Sequence, residues 1–125
     1  MSYRINAQMC LTKDVGTHGN LFGGRMLAWM DESAAIFART YTGETHVVTL
    51  RFSETLFIQP VKVGEIVEFR ASDPQVGRTS ITFQLEGRVK ETSVFRNTCT
   101  FVVLDEEGKP KRIDKESMPG RTWKI

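Results

Sequence analysis

The stretch that decides the fold is Gly19-Asn20-Leu21-Phe22-Gly23-Gly24-Arg25-Met26-Leu27-Ala28-Trp29-Met30-Asp31-Glu32-Ser33-Ala34-Ala35. Glycines open it, and the apolar run that follows continues to about Tyr41 and stops before Gly43. Glycine is favoured just past a helix end, so the pattern predicts one long α-helix that starts at Gly23-Gly24 and ends near Tyr41.

One charge stands out on the apolar side of this helix. Because each residue turns by about 100°, Asp31 lies roughly 140° from Met26 and next to alanines. Arg25, Glu32 and Arg39 gather on a separate face that can be solvated. Asp31 is either a helix-edge residue that reaches water or a carboxylate beside a partner or a cavity. The second case makes it a candidate for chemistry.

Extended segments lie on both sides of the helix. Apolar and polar residues alternate from Ile5 to Thr12, which predicts a half-buried strand. One helix against a mostly antiparallel sheet is an α+β fold. Because the helix is apolar over more than half of its circumference, a sheet curling round it or a second subunit must cover it. Four further strands are predicted at about 46–57, 65–72, 78–91 and 95–104, with a turn at 73–77.

Composition limits the class of protein. The 125 residues are 40% hydrophobic and 26% charged, which is typical of a single globular domain. No apolar run reaches the roughly 20 residues of a membrane span, and the first residues lack the apolar core of a secretory signal. Cys10 and Cys99 have no metal or redox spacing, so they are interpreted as reduced core residues. These features favour a cytoplasmic protein that acts away from membranes.

The formal charge of +2 is too small to indicate nucleic-acid binding. Positive charge concentrates late, where residues 109–125 are interpreted as an irregular tail that Trp123 could pin to the body. A solvated tail is favoured over a dedicated phosphate site, and a small anionic ligand stays open. The late basic residues are Lys109, Lys111, Arg112, Lys115, Arg121 and Lys124.

Several chemistries lack their motifs. There is no GxSxG elbow for a nucleophilic serine, and Ser33 has no histidine near it in sequence. His18 and His46 pair with no cysteine, so the sequence predicts no metal site. His18 lies in the loop before the helix and is interpreted as a simple loop histidine.

The start of the helix indicates a chemistry that is possible. Unpaired N–H groups at a glycine-rich helix start can hold a carbonyl oxygen as it becomes an oxyanion. With Asn20 upstream and Asp31 downstream, Gly23 and Gly24 indicate an acyl-transfer site. Its parts would be an orienting amide, oxyanion donors and a carboxylate base.

The segments 19–24 and 30–35 resemble the hot-dog fold acyl-CoA thioesterases, in particular the bacterial short-chain acyl-CoA hydrolase and cytosolic brain acyl-CoA hydrolase type. The stretches 47–52, 57–65 and 77–81 are similar as well. The resemblance covers roughly residues 3–112, which predicts one hot-dog domain there and a C-terminal tail over 113–125.

The resemblance implies a long helix wrapped by an antiparallel sheet and two subunits that build each active site from both chains. Dimers, tetramers or hexamers of one chain are expected, and many relatives carry two such units or a longer C-terminal region. Asp31 would act as general base or nucleophile. Asn20 and the backbone at Gly23 and Gly24 would bind water and the thioester carbonyl.

Coenzyme A would be part of the substrate, and no separate cofactor is expected. The resemblance places it along the segment from Gly77 to Ser80, and a basic residue there can hold its phosphates. Arg51 is a second candidate, although a strand arginine pointing to solvent is equally possible. The expected coenzyme A contacts are Gly77, Arg78, Thr79, Ser80 and Arg51.

The sequence therefore predicts hydrolysis of acyl-CoA thioesters in lipid metabolism. Two alternatives stay open. A hot-dog dehydratase acting on hydroxyacyl thioesters would need a histidine paired with an acid, and neither His18 nor His46 has an evident position for it. The other alternative is a non-catalytic module that binds acyl-CoA.

Overall fold

One helix and a five-stranded antiparallel sheet make up the fold in a computed structural model that describes residues 2–119. The strands stand in the order β1-β3-β4-β5-β2, so β1 and β2 are the two edges. The helix α1 (Gly23–Thr42) links these two edge strands in the chain. The strands are β1 (Ser2–Met9), β2 (Val47–Phe57), β3 (Ile66–Val76), β4 (Ser80–Val89) and β5 (Thr92–Val103).

The predicted ends of the helix are confirmed. Phe22 precedes its first turn, and Gly43 follows its last one with a left-handed φ of 77°. The N–H of Gly43 donates to the carbonyl of Arg39 over 2.9 Å, which closes the helix end. A side chain at Gly43 would be strained, and its Cβ would also come within 3.1 Å of Pro119.

The core lies between α1 and one face of the sheet. Phe37 packs edge-on against Phe83 of β4, with ring centroids 4.8 Å apart, and Phe83 stacks on Phe101 of β5 at 6.0 Å. Burial of these rings is the main force that holds helix and sheet together. The buried residues of α1 are Met26, Trp29, Met30, Ser33, Ala34, Phe37, Ala38 and Thr42.

The turn predicted at 73–77 is placed wrongly. Strand β3 continues to Val76, and its register with β4 shifts between Ser72 and Gln75 around a bulge that contains Asp73. Asp73 has a left-handed φ of 51°, and the residue after it is Pro74. A bulge tolerates the missing N–H of a proline, because the extra residue is not paired with the neighbouring strand. The real turn comes later, where the N–H of Gly77 donates to the carbonyl of Ser80 over 2.8 Å.

The hairpin between β4 and β5 is tighter than predicted. Only Lys90 and Glu91 separate the two strands, and β5 begins at Thr92 rather than Phe95. Lys90 accommodates the tight reversal with a left-handed φ of 55°.

The C-terminal segment is packed on the sheet as far as residue 113. The N–H of Lys111 donates to the carbonyl of Val103 over 2.8 Å, and the side chain of Ile113 is buried. Residues 109–113 are therefore fixed to the body, in contrast to the predicted solvated tail. The division at 112/113 stays a prediction, and Arg121, Trp123 and Lys124 lie outside the described residues. No helix in the part of the chain described is long and apolar enough to cross a membrane.

Candidate active site

Asp31 has a partner. The Thr49 hydroxyl donates to Asp31 Oδ1 over 2.8 Å and thereby joins the middle of α1 to the edge strand β2. Asp31 is half-buried, and within residues 2–119 its other carboxylate oxygen accepts no hydrogen bond. One oxygen is thus held by the protein while the second stays available to a water or a substrate.

Sequence reasoning missed Thr49. It lies 18 residues from Asp31, so only the three-dimensional fold brings the two side chains together. The available signal was a hydroxyl in the otherwise apolar run Val47-Val48-Thr49-Leu50, which is a weak one because threonine is common in strands.

Behind Asp31 lies a small buried polar cluster. The thiol of Cys99 donates to Asn97 Oδ1 over 3.3 Å, and Asn97 Nδ2 donates to Thr55 Oγ1 over 3.5 Å. Burial, and after it the nearby charge of Asp31, raises the pKa of Cys99 to about 12. The thiol is therefore protonated at neutral pH and is unsuited to act as a nucleophile.

The start of the helix is open to a ligand. In the described part of the chain, no side chain caps the first N–H groups after Phe22, and no atom would lie within 4 Å of a Cβ built on Gly24. A Cβ on Gly23 would lie 3.7 Å from the ring of Phe57, an ordinary contact. The exposed N–H groups carry the partial positive charge of the helix end, which suits a developing oxyanion.

A buried carboxylate fixes the loop that leads into the helix. Asp14 Oδ2 accepts a hydrogen bond from the N–H of Leu11 over 2.9 Å, and Asp14 Oδ1 forms an ion pair with Arg25 Nε at 3.2 Å. Its carbonyl also accepts the N–H of Phe22 over 2.9 Å. These bonds hold the residues before Gly23 in place. Sequence reasoning did not single out Asp14 for this role.

Asn20 lies beside the helix start. Its Oδ1 accepts a short hydrogen bond from Lys62 Nζ, which leaves its amide N–H groups to donate. Two depressions flank it, one of about 330 Å³ towards Phe57 and one of about 620 Å³ that His18 also lines. Both volumes fall in the range of roughly 300–1,000 Å³ that small-molecule sites occupy.

The four predicted catalytic residues fall into two groups. Asn20, Gly23 and Gly24 lie together at the start of α1, whereas Asp31 lies seven residues after Gly24, about 10 Å along the axis at about 1.5 Å per residue. The helical N–H groups point towards the N-terminus and so away from Asp31. Within one chain the Asp31 carboxylate and the N–H groups of the helix start therefore lie at different levels of α1.

The predicted coenzyme A segment forms the turn between β3 and β4. Gly77 and Arg78 are exposed there, and Thr79 and Ser80 are half-buried. Through the pairing of β5 with both neighbours, Ser80 stands in register with Val48 of β2, one residue from Thr49. Two strand spacings of about 4.8 Å separate those positions, so the turn and the Asp31–Thr49 pair lie near each other. Arg51 is exposed on β2.

Ser33 and His46, two further polar residues considered from the sequence, lie apart from these groups. Ser33 is buried, and its single hydroxyl proton lies within hydrogen-bond reach of both the Trp29 carbonyl (2.7 Å) and Asn6 Oδ1 (2.8 Å), so the hydroxyl is engaged in the core. His46 is exposed before β2. Among residues 2–119, no group of three or more histidine, cysteine or acidic side chains could hold a metal ion.

Comparison with known proteins identifies the class to which this fold belongs, the thioesterases. The family model of the thioesterase superfamily matches residues 18–95, which include the helix start, Asp31 and Thr49. The chain therefore belongs to the thioesterase superfamily, and the resemblance to the hot-dog fold acyl-CoA thioesterases is confirmed.

Relatives found by sequence and by structure are named as thioesterases or acyl-CoA hydrolases. The acyl-CoA thioester hydrolase YciA of Escherichia coli is 31% identical over 117 residues, covering 86% of this chain and 88% of its own. A hexameric thioesterase of Yersinia pestis superimposes with a TM-score of 0.84 at 29% identity, covering 90% of this chain and 95% of its own. An acyl-CoA hydrolase of Staphylococcus aureus, solved with butyryl coenzyme A, superimposes with a TM-score of 0.79 at 32% identity. The match covers 90% of this chain and 68% of that hydrolase.

Proposed function

We propose that this chain hydrolyses acyl-CoA thioesters to a free carboxylic acid and coenzyme A. The observation that carries the proposal is the Asp31 carboxylate, half-buried and hydrogen-bonded by Thr49, in a chain of the thioesterase superfamily. The acyl-CoA substrate is supported by the names of relatives that match most of this chain.

The free oxygen of Asp31 supplies the base. In the proposed step it removes a proton from a water molecule as the water oxygen attacks the thioester carbon. The carbonyl oxygen becomes an oxyanion, the carbon–sulfur bond then breaks, and the thiolate leaves to take up a proton. In an alternative route Asp31 attacks the carbon itself, and water then hydrolyses the resulting anhydride. Both routes need the same ionised oxygen, free of protein partners.

We further propose that two copies complete the site. Because about 10 Å separates Gly24 from Asp31 along one helix, the oxyanion donors for one Asp31 come from the helix start of a second chain. The edge strand β2, which carries Thr49, supports this, since it exposes Val48, Leu50 and Leu56 to more than two-fifths of their area. Such apolar patches beside an unpaired strand edge are typical of subunit interfaces.

For the assembly beyond the dimer, the support comes from solved relatives. Solved relatives, including the Yersinia pestis and Campylobacter jejuni thioesterases, are described as hexameric. We propose a homo-oligomer built from dimers for this chain, with Arg78 and its neighbours in the turn lying along coenzyme A. A cytoplasmic location remains a prediction.

The direct test is a panel of acyl-CoA substrates of different chain length, with released thiol followed by a chromogenic disulfide reagent. We expect release of one thiol for each thioester consumed. The two cysteines of the chain add little background, because burial raises the pKa of Cys10 as well as that of Cys99. Tight binding of every acyl-CoA without any turnover would instead identify the non-catalytic binding module.

Thr49→Val tests the orienting hydrogen bond. A hydrogen bond to a charged group contributes about 1.5–3 kcal/mol, so we expect kcat to fall roughly tenfold to a hundredfold. KM should change little, because the hydroxyl holds the carboxylate rather than the substrate. Thr49→Ser keeps the donor and should restore most of the activity. Wild-type kcat in Thr49→Val would contradict the orienting role, and equal loss in both variants would show that the site needs the methyl group as well as the hydroxyl.

A further inference from the structure

A depression at one end of the sheet gathers three cations beside the turn between β3 and β4. Arg78 lines it from the turn, and Arg112 and Lys115 line it from the C-terminal segment. Its volume is about 470 Å³, enough for a small ligand rather than a single ion.

The C-terminal segment is fixed where these cations lie. The N–H of Ile113, between Arg112 and Asp114 in the chain, donates to the carbonyl of Arg78 over 2.7 Å. The Ile113 side chain is only 4% exposed, so burial and a backbone bond both anchor the segment to the turn. The juxtaposition of the three cations is therefore part of the fold.

The lining of the depression is net positive, since three cations face the two carboxylates of Asp114 and Glu116, and none of the cations is held in an ion pair among the described residues. Within the described range, no carboxylate lies within 4 Å of a charged nitrogen of these three residues. Asp114 and Glu116 also line the depression, but Asp114 Oδ1 turns back to accept the N–H of Glu116 over 3.1 Å. In contrast, the arginines that do form ion pairs with carboxylates are Arg4, Arg25, Arg70 and Arg88.

We propose that Arg78, Arg112 and Lys115 form a site for the phosphates at the nucleotide end of coenzyme A. The proposal rests on the proposed function, in which the turn at Gly77–Ser80 lies along that molecule. Guanidinium groups bind phosphate with two parallel hydrogen bonds, and an ammonium group adds a mobile point charge. The C-terminal segment then has a role in substrate recognition, beyond covering the end of the sheet.

The first experiment measures binding without any hydrolysis. Adenosine 3′,5′-bisphosphate, which carries the nucleotide phosphates but no thioester, is titrated calorimetrically into the full chain. We expect the double variant Arg112→Gln/Lys115→Gln to weaken binding at least tenfold. Lys109→Gln is the control for charge in general: it removes one positive charge from the same segment outside the depression, and it should change binding less than twofold.

Two results would overturn the site. One is a failure of the wild-type chain to bind the bisphosphate, and the other is equal affinity in the wild-type chain and the double variant. A loss in the Lys109 variant as large as in the double variant would also overturn it, because it would show a diffuse charge effect. None of these outcomes depends on whether thioesters are hydrolysed.

The second experiment separates recognition from catalysis. With acyl-CoA, the double variant should raise KM about tenfold and leave kcat unchanged. With the 3′-dephospho substrate the effect should shrink, and with acyl-pantetheine it should vanish. An equal loss on all three substrates would place the two residues in the fold or the chemistry and overturn the site. Absence of turnover on every substrate would refute the proposed function, and the calorimetric result would still decide the phosphate site.

Discussion

Asp31→Asn should abolish most of the turnover. The amide keeps the shape of the side chain and can still contact Thr49, but it can neither accept a proton from water nor attack the thioester. General-base catalysis contributes roughly 10²–10⁴-fold, so we expect kcat to fall by at least a hundredfold with little change in KM. Steady-state kinetics with one acyl-CoA substrate measures both values.

Glu32→Gln is the matched control for this substitution. It removes a carboxylate from the next residue of the same helix, where the side chain is exposed. The control should retain wild-type kcat. If Asp31→Asn kept more than a tenth of the activity, or if both variants lost it equally, the assignment of the catalytic carboxylate would be wrong.

Mixing two inactive variants should restore activity if two copies share each site. Gly24→Val places a branched side chain at the approach to the helix start, where a Cβ would have no atom of residues 2–119 within 4 Å. Alone it should lower kcat at least tenfold, because the side chain keeps the carbonyl oxygen away from the N–H groups, and losing one oxyanion donor costs about 10²–10³-fold in other enzymes. Co-expressed with Asp31→Asn in equal amounts, it should recover about a quarter of wild-type activity, since random pairing leaves that share of sites free of both changes.

The recovery depends on the geometry of sharing. In a mixed dimer, one site combines the intact Asp31 with the intact Gly24 of the other chain, while the second site carries both substitutions. If each chain built its own site, every site in the mixture would carry one substitution and no activity would return. The proposed sharing would then be wrong, whereas Asp31 could still be the catalytic group.

The sequence predicted those features that depend on local pattern. The helix that starts at Gly23 and stops before Gly43, the antiparallel sheet and the α+β class follow from periodicity and glycine placement, and the structure and comparisons confirm them. The predicted position of the turn after β3 was wrong, because Asp73-Pro74 is a common turn signal that here occupies a bulge. A bulge depends on the neighbouring strand, which no single segment reveals.

The candidate site was predictable only in part. Asp31 could be singled out because a charge among alanines is unusual at its helical position. Thr49 could not, because its bond to Asp31 depends on which strand forms the edge beside α1. The cations of the C-terminal segment looked like a solvated tail, because the burial of Ile113 that anchors them is a tertiary contact.

The strand order has a consequence for how the chain is made. Among residues 2–119, β2 lies at an edge and pairs only with β5, so residues 47–57 lack this strand partner until residues 92–103 have been synthesised. During that interval a strand with several apolar side chains emerges from the ribosome unprotected, in a topology whose non-local pairing slows folding. Premature termination before β5 would therefore yield a product prone to aggregation, in which Asp31 and Thr49 are both present but Thr49 has no sheet to hold it.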